Sequence, residues 1–149
     1  VYAPRFNGEW VDEQATVEAV RPGAKAALAA EHWLNTHIPS DRQVVLRSAG
    51  IYGPGRVPRL DVLRSSAPLQ VDPNSYLNLI HVSDLAQVIV EASQSTSASG
   101  LYNVADGNPV LRGEYYRFIA ERIGAEEPTY EPLSSVSSVG ERSIRSRGE

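Results

Sequence analysis

Leu46-Arg47-Ser48-Ala49-Gly50-Ile51-Tyr52-Gly53-Pro54-Gly55-Arg56 is the stretch whose reading decides the fold. It is entered through Val44-Val45-Leu46, an apolar β-branched run without polar alternation, and it ends at Gly53-Pro54-Gly55. A continuous apolar run reads as a strand buried on both faces, and a Gly/Pro cluster ends such a strand in a turn. Upstream, Pro22 suits the first turn of a helix, where its missing N–H costs nothing. Ala24, Ala27, Leu28, Glu31 and Leu34 then recur at helical spacing until Ile38 and Pro39 close the segment. Downstream, residues 58–65 suit a short helix and residues 76–82 a second strand. Ser83 or Asp84 is placed to cap a helix over 85–93, with Leu85, Val88, Ile89 and Ala92 on one face. Residues 93–100 form a polar linker, residues 101–105 a short strand, and Asp106-Gly107-Asn108-Pro109 a turn. A helix is expected over 112–123, with Tyr115, Phe118, Ile119 and Ile123 on its buried side and Gly124 at the C-cap. Residues 128–132 close with a short extended piece. Helices and strands alternate throughout, which argues for an α/β fold with a largely parallel sheet; no internal repeat is present.

Composition narrows the function. The 149 residues suit one domain, and 42% hydrophobic with 21% charged residues is ordinary for a globular chain. A formal net charge of -4 gives no basic footprint for nucleic acid. No apolar run approaches the roughly 18 residues a membrane span needs, and Pro4, Arg5, Asn7 and Glu9 do not make a signal peptide. The absence of cysteine removes disulfides, thiol catalysis and thiolate metal sites together. A cytoplasmic location is the default expectation. The chain has no methionine, not even at position 1, and no apolar periodicity after Val139. A fragment accounts for both ends, so residues 1–132 are expected to be the folded portion and residues 133–149 a polar, disordered tail.

Four segments together carry a family resemblance. Val1-Tyr2-Ala3 followed by Gly8-Glu9-Trp10-Val11-Asp12-Glu13 resembles the VYG…G-x-W-x-D-E stretch of extended short-chain dehydrogenase/reductase proteins, the NAD-dependent epimerase/dehydratase group. Residues 46–56 resemble that family's LR…YGPGR segment, Ile80-His81-Val82-Ser83-Asp84-Leu85-Ala86 its I-H-V-x-D-x-A joint, and Leu101-Tyr102-Asn103-Val104-Ala105-Asp106-Gly107 its Y-N-V strand. Each alone is weak; four in the family's order are specific, and the resemblance covers roughly residues 1–132, nearly the whole chain. The resemblance implies the second half of a Rossmann-like doubly wound parallel sheet plus a small substrate lobe. It also implies NAD or NADP as cofactor, a nucleotide-sugar or similar small molecule as substrate, and a homodimer when whole. The family's glycine-rich pyrophosphate turn lies at the beginning of its fold, and no G-x-x-G-x-x-G occurs here. Gly53-Pro54-Gly55 is no substitute, because proline lacks a donor and no clear helix follows.

In active members a tyrosine four residues before a lysine transfers the proton, its pKa lowered by the cation. The pattern P-Y-G-K-S-K-L-x-x-E lies on residues 22–31 without a gap: Pro22, Lys25, Leu28 and Glu31 match, while the tyrosine falls on Gly23 and the essential lysine on Ala27. Lys25 is read as a solvated helix residue, and Arg21, four residues before it, cannot serve as an acid. No catalytic residue is therefore assigned. By family position, Ser48 and Ala49 face the nicotinamide end of the cofactor, and Gly50, Arg56 and His81 border the substrate. Gly50 stands where many sugar-nucleotide enzymes have asparagine, and Leu77 and Leu79 stand where an arginine is common before I-H-V. These departures fit atypical members, in which the tyrosine–lysine pair is often lost.

The remaining residues take plainer readings. His32, His37 and His81 are too scattered for a metal site, and Asp84 is a helix cap rather than an acid. Arg56 and Arg59 suit a phosphate by their forked guanidinium or are solvated loop residues. Tyr2 is a packing residue, and Trp10 and Trp33 pack in the core or lobe. Two alternatives stay open beside the NAD(P)-binding reading: a non-catalytic nucleotide-sensing or interaction module of the same fold, and a free-standing small α/β domain without cofactor.

Overall fold

A computed structural model describes residues 2, 8–131 and 145–146 of the chain. In chain order, β1 is Trp10–Val11, α1 Pro22–His37, β2 Val44–Ser48, β3 Gly50–Tyr52, α2 Leu60–Arg64, β4 Tyr76–Leu77, β5 Leu79–His81 and α3 Val82–Gln94. There follow β6 Gly100–Val104, β7 Val110–Leu111, α4 Arg112–Ile123 and β8 Arg145–Ser146. Helices alternate with strands, and β2 pairs with β6 and β3 with β5 in parallel, as an α/β fold requires. The pair β4–β7 is antiparallel. The polar-tail expectation lies outside the described residues except at β8, whose backbone pairs in parallel with β1.

The apolar stretch at 44–52 does not run as one straight strand. Ala49 N–H donates to Val104 O at 2.8 Å, and Gly50 N–H donates to Asn78 O at 3.0 Å. The strand changes partner between adjacent residues, from β6 to β5. Neighbouring carbonyls along a strand point to opposite sides, and those of Asn78 and Leu79 go to Gly50 and to Asp106 N–H (2.9 Å) respectively. β5 therefore sits as a wedge where β3 and the end of β6 diverge. The result is a fork at the carboxyl ends of parallel strands.

The helices follow from local sequence. Pro22 starts α1, and Ile38 N–H closes it on Leu34 O at 2.8 Å. Only Ala24, Leu28, Glu31 and Leu34 are half-buried within it, a stripe at helical spacing, and Ala27 is exposed. α4 spans residues 112–123 as expected and ends at Gly124 with φ +67. An apolar cluster forms the small lobe: Leu63 of α2, Leu69, Val71, and Tyr116 and Ala120 of α4, flanked by Tyr115, Ile119 and Tyr130. Residues 129–131 run beside Leu69, which donates to Thr129 O and accepts from Glu131 N–H.

Several sequence expectations need correction. The strand at 76–82 is broken at Asn78 into β4 and β5, because β4 turns away to pair with β7. Neither Ser83 nor Asp84 caps α3; the helix begins one residue after β5, and His81 is its cap. The buried residues of α4 are Tyr116 and Ala120, while Phe118 is 52% exposed, since the lobe core lies on the side of α2. Ile89 at 51%, Trp10 at 51% and Trp33 at 55% are exposed rather than core.

Leu69 is 2% exposed at the centre of the lobe core. Leu69→Ala should destabilise the chain by about 3 kcal/mol through lost burial and the cavity left behind, read as a lower urea midpoint without loss of two-state behaviour.

Candidate functional site

The residues assigned from the sequence gather around the fork. Ser48 is exposed at the end of β2, Ala49 is the partner-switching residue, and Gly50 starts β3. Open α/β sheets bind ligands in the crevice outside the carboxyl ends of their strands, where neighbouring strands diverge. Gly50 also has a packing reason: a Cβ there would lie 3.1 Å from Leu79 Cδ2 and 3.2 Å from Asn78 O. A side chain at 50 would crowd the wedge and require it to give by a few tenths of an ångström.

One register step beyond, Tyr52 lies opposite His81, and their rings meet edge to face with centroids 5.2 Å apart. Gly53-Pro54-Gly55-Arg56 then turns tightly. Gly53 N–H donates to Arg56 O at 3.0 Å, Arg56 N–H returns to Gly53 O at 2.9 Å, and Gly55 takes the positive φ of +75 that the turn needs. The side chain of Arg56 is exposed. Thus Gly50, His81 and Arg56 are joined through residues 50–56 and β5. Tyr115 of α4 has Tyr116 against it edge to face, ring centroids 5.4 Å apart. Burial, helped by Tyr116 and Tyr52, pushes the Tyr115 phenol up to about 12.

Sequence reasoning missed a polar network beside Ser48. Arg47 of β2 bonds both carboxylate oxygens of Glu31 on α1, at 3.0 and 2.6 Å, with side chains only 11% and 15% exposed. Hydrogen bonding to Glu31, opposed by burial, raises Arg47 above the ordinary guanidinium value. Its guanidinium carbon lies 4.8 Å from the centroid of the Tyr2 ring. Tyr2 OH donates to Asn103 Oδ1 at 2.5 Å, and Asn103 N–H donates to Glu13 Oε1 at 2.5 Å. Tyr2 is therefore a polar link as well as a packing residue. Glu31, Arg47, Asn103, Tyr2 and Glu13 all stand inside the quoted motifs; the signal available was that these short motifs retain hydrogen-bonding residues next to apolar strands.

Other candidates stay apart from the fork. Gly23 and Ala27 lie on the exposed side of α1, with open space around Gly23, and Lys25 is exposed there too. His32 and His37 are also on α1, where His37 stacks on Trp33 at 4.5 Å. Among the described residues, no three His, Cys, Asp or Glu side chains gather as a metal site, and no helix is long and apolar enough to cross a membrane. Two open grooves of about 570 and 430 Å3 flank α3. Neither is lined by Ser48, Ala49, Gly50, Arg56 or His81.

The chain is a Rossmann-like α/β unit whose candidate residues stand at the carboxyl ends of parallel strands. Comparison with known proteins agrees. The chain is 32% identical over 109 residues to short-chain dehydrogenase/reductase family 42E member 1 of Danio rerio, covering 64% of this chain and 28% of that protein. It is 28% identical over 125 residues to protein YeeZ of Escherichia coli, covering 80% of this chain and 44% of that protein. Among solved structures, a conserved protein of unknown function from Silicibacter pomeroyi superposes with a TM-score of 0.76 at 27% identity, over 97% of this chain and 53% of that one. The UDP-glucose 4-epimerase of Thermus thermophilus, solved with NAD, gives a TM-score of 0.73 at 22% identity, over 97% and 51%, and shares the fold. No family model matches the chain. The chain is thus similar in sequence to a short-chain dehydrogenase/reductase and in fold to the NAD-dependent epimerases. It spans less than half the length of these curated relatives.

Three variants check this geometry. Glu31→Gln leaves Arg47, whose buried Nη1 already has no partner, without its counter-charge, and should cost about 3 kcal/mol of stability. Lys25→Ala should stay within about 0.5 kcal/mol of the parent in the same urea titration. Because the Tyr115 phenol is held up at about 12, the folded chain keeps a proton that the unfolded chain releases near pH 10. Its stabilising effect is full below about pH 10 and is lost as pH rises toward about 12. Urea midpoints should fall more steeply across that window for the parent than for Tyr115→Phe.

Proposed function

We propose that this chain supplies the strand ends and the substrate lobe of an NAD(P)-binding, epimerase/dehydratase-like protein that acts on a nucleotide-sugar or similar small molecule. The observation that carries the reading is the fork, which places Ser48, Ala49 and Gly50 at the divergence of two parallel strand pairs. The residues present fit the nicotinamide end of such a cofactor. Ser48 offers an exposed hydroxyl, and the small side chains of Ala49 and Gly50 let a flat ring approach the backbone. Ala49 N–H is already committed to Val104, so its carbonyl and Ser48 do the holding. When bound, NAD(P) supplies hydride exchange. The 53–56 turn does not fit the pyrophosphate, because its two end amides are bonded to its own carbonyls. On the substrate side, Gly50 keeps the fork open, and Arg56 and His81 border the ligand. The structural neighbours with NAD and UDP-glucose, or with NAD and UDP-glucuronic acid, support this class of cofactor and substrate. Assembly as a homodimer belongs to the same proposal; α1 has no buried residue and leaves its outer face exposed.

A non-catalytic nucleotide sensor of the same fold is the second reading. The exposed Gly23 and Ala27, at the family's tyrosine and lysine positions, favour it. Calorimetric titration of the full polypeptide with NAD and with NADP should give saturable binding of one of them; absence of heat with both would sink the cofactor reading. Turnover of a sugar nucleotide by the same protein decides against the sensor, and tight binding without turnover decides for it.

A further inference from the structure

His81 ends β5 and caps α3 with one ring. Its Nδ1 accepts the N–H of Ser83 at 3.3 Å, and a ring nitrogen that accepts a hydrogen bond carries no proton. In the neutral imidazole the proton then sits on Nε2, which is left as a donor. The ring's direction is set by its neighbours. Tyr52 packs on it edge to face at 74°, and Nε2 lies 3.5 Å from the position a Cβ on Gly53 would take. The same Cβ would stand 2.6 Å from Val82 Cγ1, so glycine alone leaves the space beside Nε2 free. Across the turn from Gly53 stands Arg56, another donor-only group. The rim thus presents donors on its side chains, while the turn's end amides and carbonyls satisfy one another.

We infer that the capping bond locks His81 in its Nε2–H form, and that this N–H, over Gly53, donates to an acceptor-only oxyanion oxygen of the ligand, phosphoryl or carboxylate. The inference rests on the small-molecule reading proposed above and adds the chemistry by which the site chooses its ligand. A group that can only donate at this position is left facing a donor and is disfavoured. His81 is a ligand-binding residue here as well as a helix cap, and the two roles use different nitrogens.

Two substitutions separate those roles. In His81→Asn, the side-chain oxygen takes the place of Nδ1 and keeps the cap, since asparagine is among the best N-caps, but nothing reaches the Nε2 position. In His81→Gln, the amide nitrogen reaches the Nε2 position while the cap is lost. Each variant of the full polypeptide is titrated with UDP-glucose and with UDP-glucuronic acid at saturating NAD, and its melting temperature is recorded. His81→Asn should melt as the parent does and bind about tenfold more weakly, the loss expected for one hydrogen bond to a charged oxygen. His81→Gln should melt lower and bind within about threefold of the parent. Equal losses on both ligands assign the oxygen to the phosphoryl groups; a loss confined to UDP-glucuronic acid assigns it to the carboxylate. Parent-like binding by His81→Asn, or affinity that merely follows melting temperature in both variants, overturns the inference. A parent that binds NAD but neither sugar nucleotide overturns the inference alone; a parent that also fails to bind NAD or NADP overturns the proposed function with it.

Discussion

Ala49 bonds to β6 and Gly50 bonds to β5, and this change of partner between adjacent residues sets the rest of the arrangement. Backbone amides inside a fold must be satisfied, so a strand that leaves one neighbour has to meet another at once. β5 meets it, and the absence of a side chain at position 50 gives Leu79 and Asn78 room to approach closely. With β5 in the fork, His81 is carried to the tip of the sheet beside Tyr52, α3 starts directly from it, and the 53–56 turn folds over the edge. Gly50, His81 and the 53–56 turn share one origin: each is set by the wedge.

The opposite side of the fork is held by charge rather than by close packing. Arg47 and Glu31 bind α1 to β2 just before Ser48, and Tyr2, Asn103 and Glu13 extend the network to the outer edge of β6. Removing two partly buried charges from water is costly, so such a pair contributes little net stability against an apolar pair of the same size. Its value lies in direction: a forked guanidinium on a carboxylate fixes the angle between helix and strand in a way that apolar contact does not. Glu13 also occupies the free N–H of Asn103, which closes part of an edge otherwise open to another strand.

The fold class was legible because it depends on patterns within single elements. The apolar run at 44–46, the proline opening α1, and the glycine after α4 each point to local structure without tertiary help, and α4 was bounded to the residue. What the sequence hid depends on pairing at a distance. The break at Asn78 arises because β4 finds β7 some thirty residues later in the chain, and nothing in Tyr76 to His81 announces it. The cap of α3 was placed on serine or aspartate, the usual residues, whereas a histidine at a strand end does the same work once the strand delivers it there. Candidate residues Ser48, Ala49, Gly50, Arg56 and His81 were named by family position and fall around one fork. The Glu31–Arg47 bridge was not foreseen, since charge complementarity between a helix and a strand leaves no periodic trace.

The wedge also has a temporal side. β3 finds β5 across a short loop of chain, as Gly50 pairs with Leu79, while β2 must wait for β6, as Val44 pairs with Gly100. Contacts between residues distant in sequence form later, because the intervening chain must first give up its freedom. A chain emerging residue by residue can therefore assemble the tip with Tyr52 and His81 before Ser48 has its final neighbour. The two sides of the crevice are made at different moments, and the Ser48 side comes last.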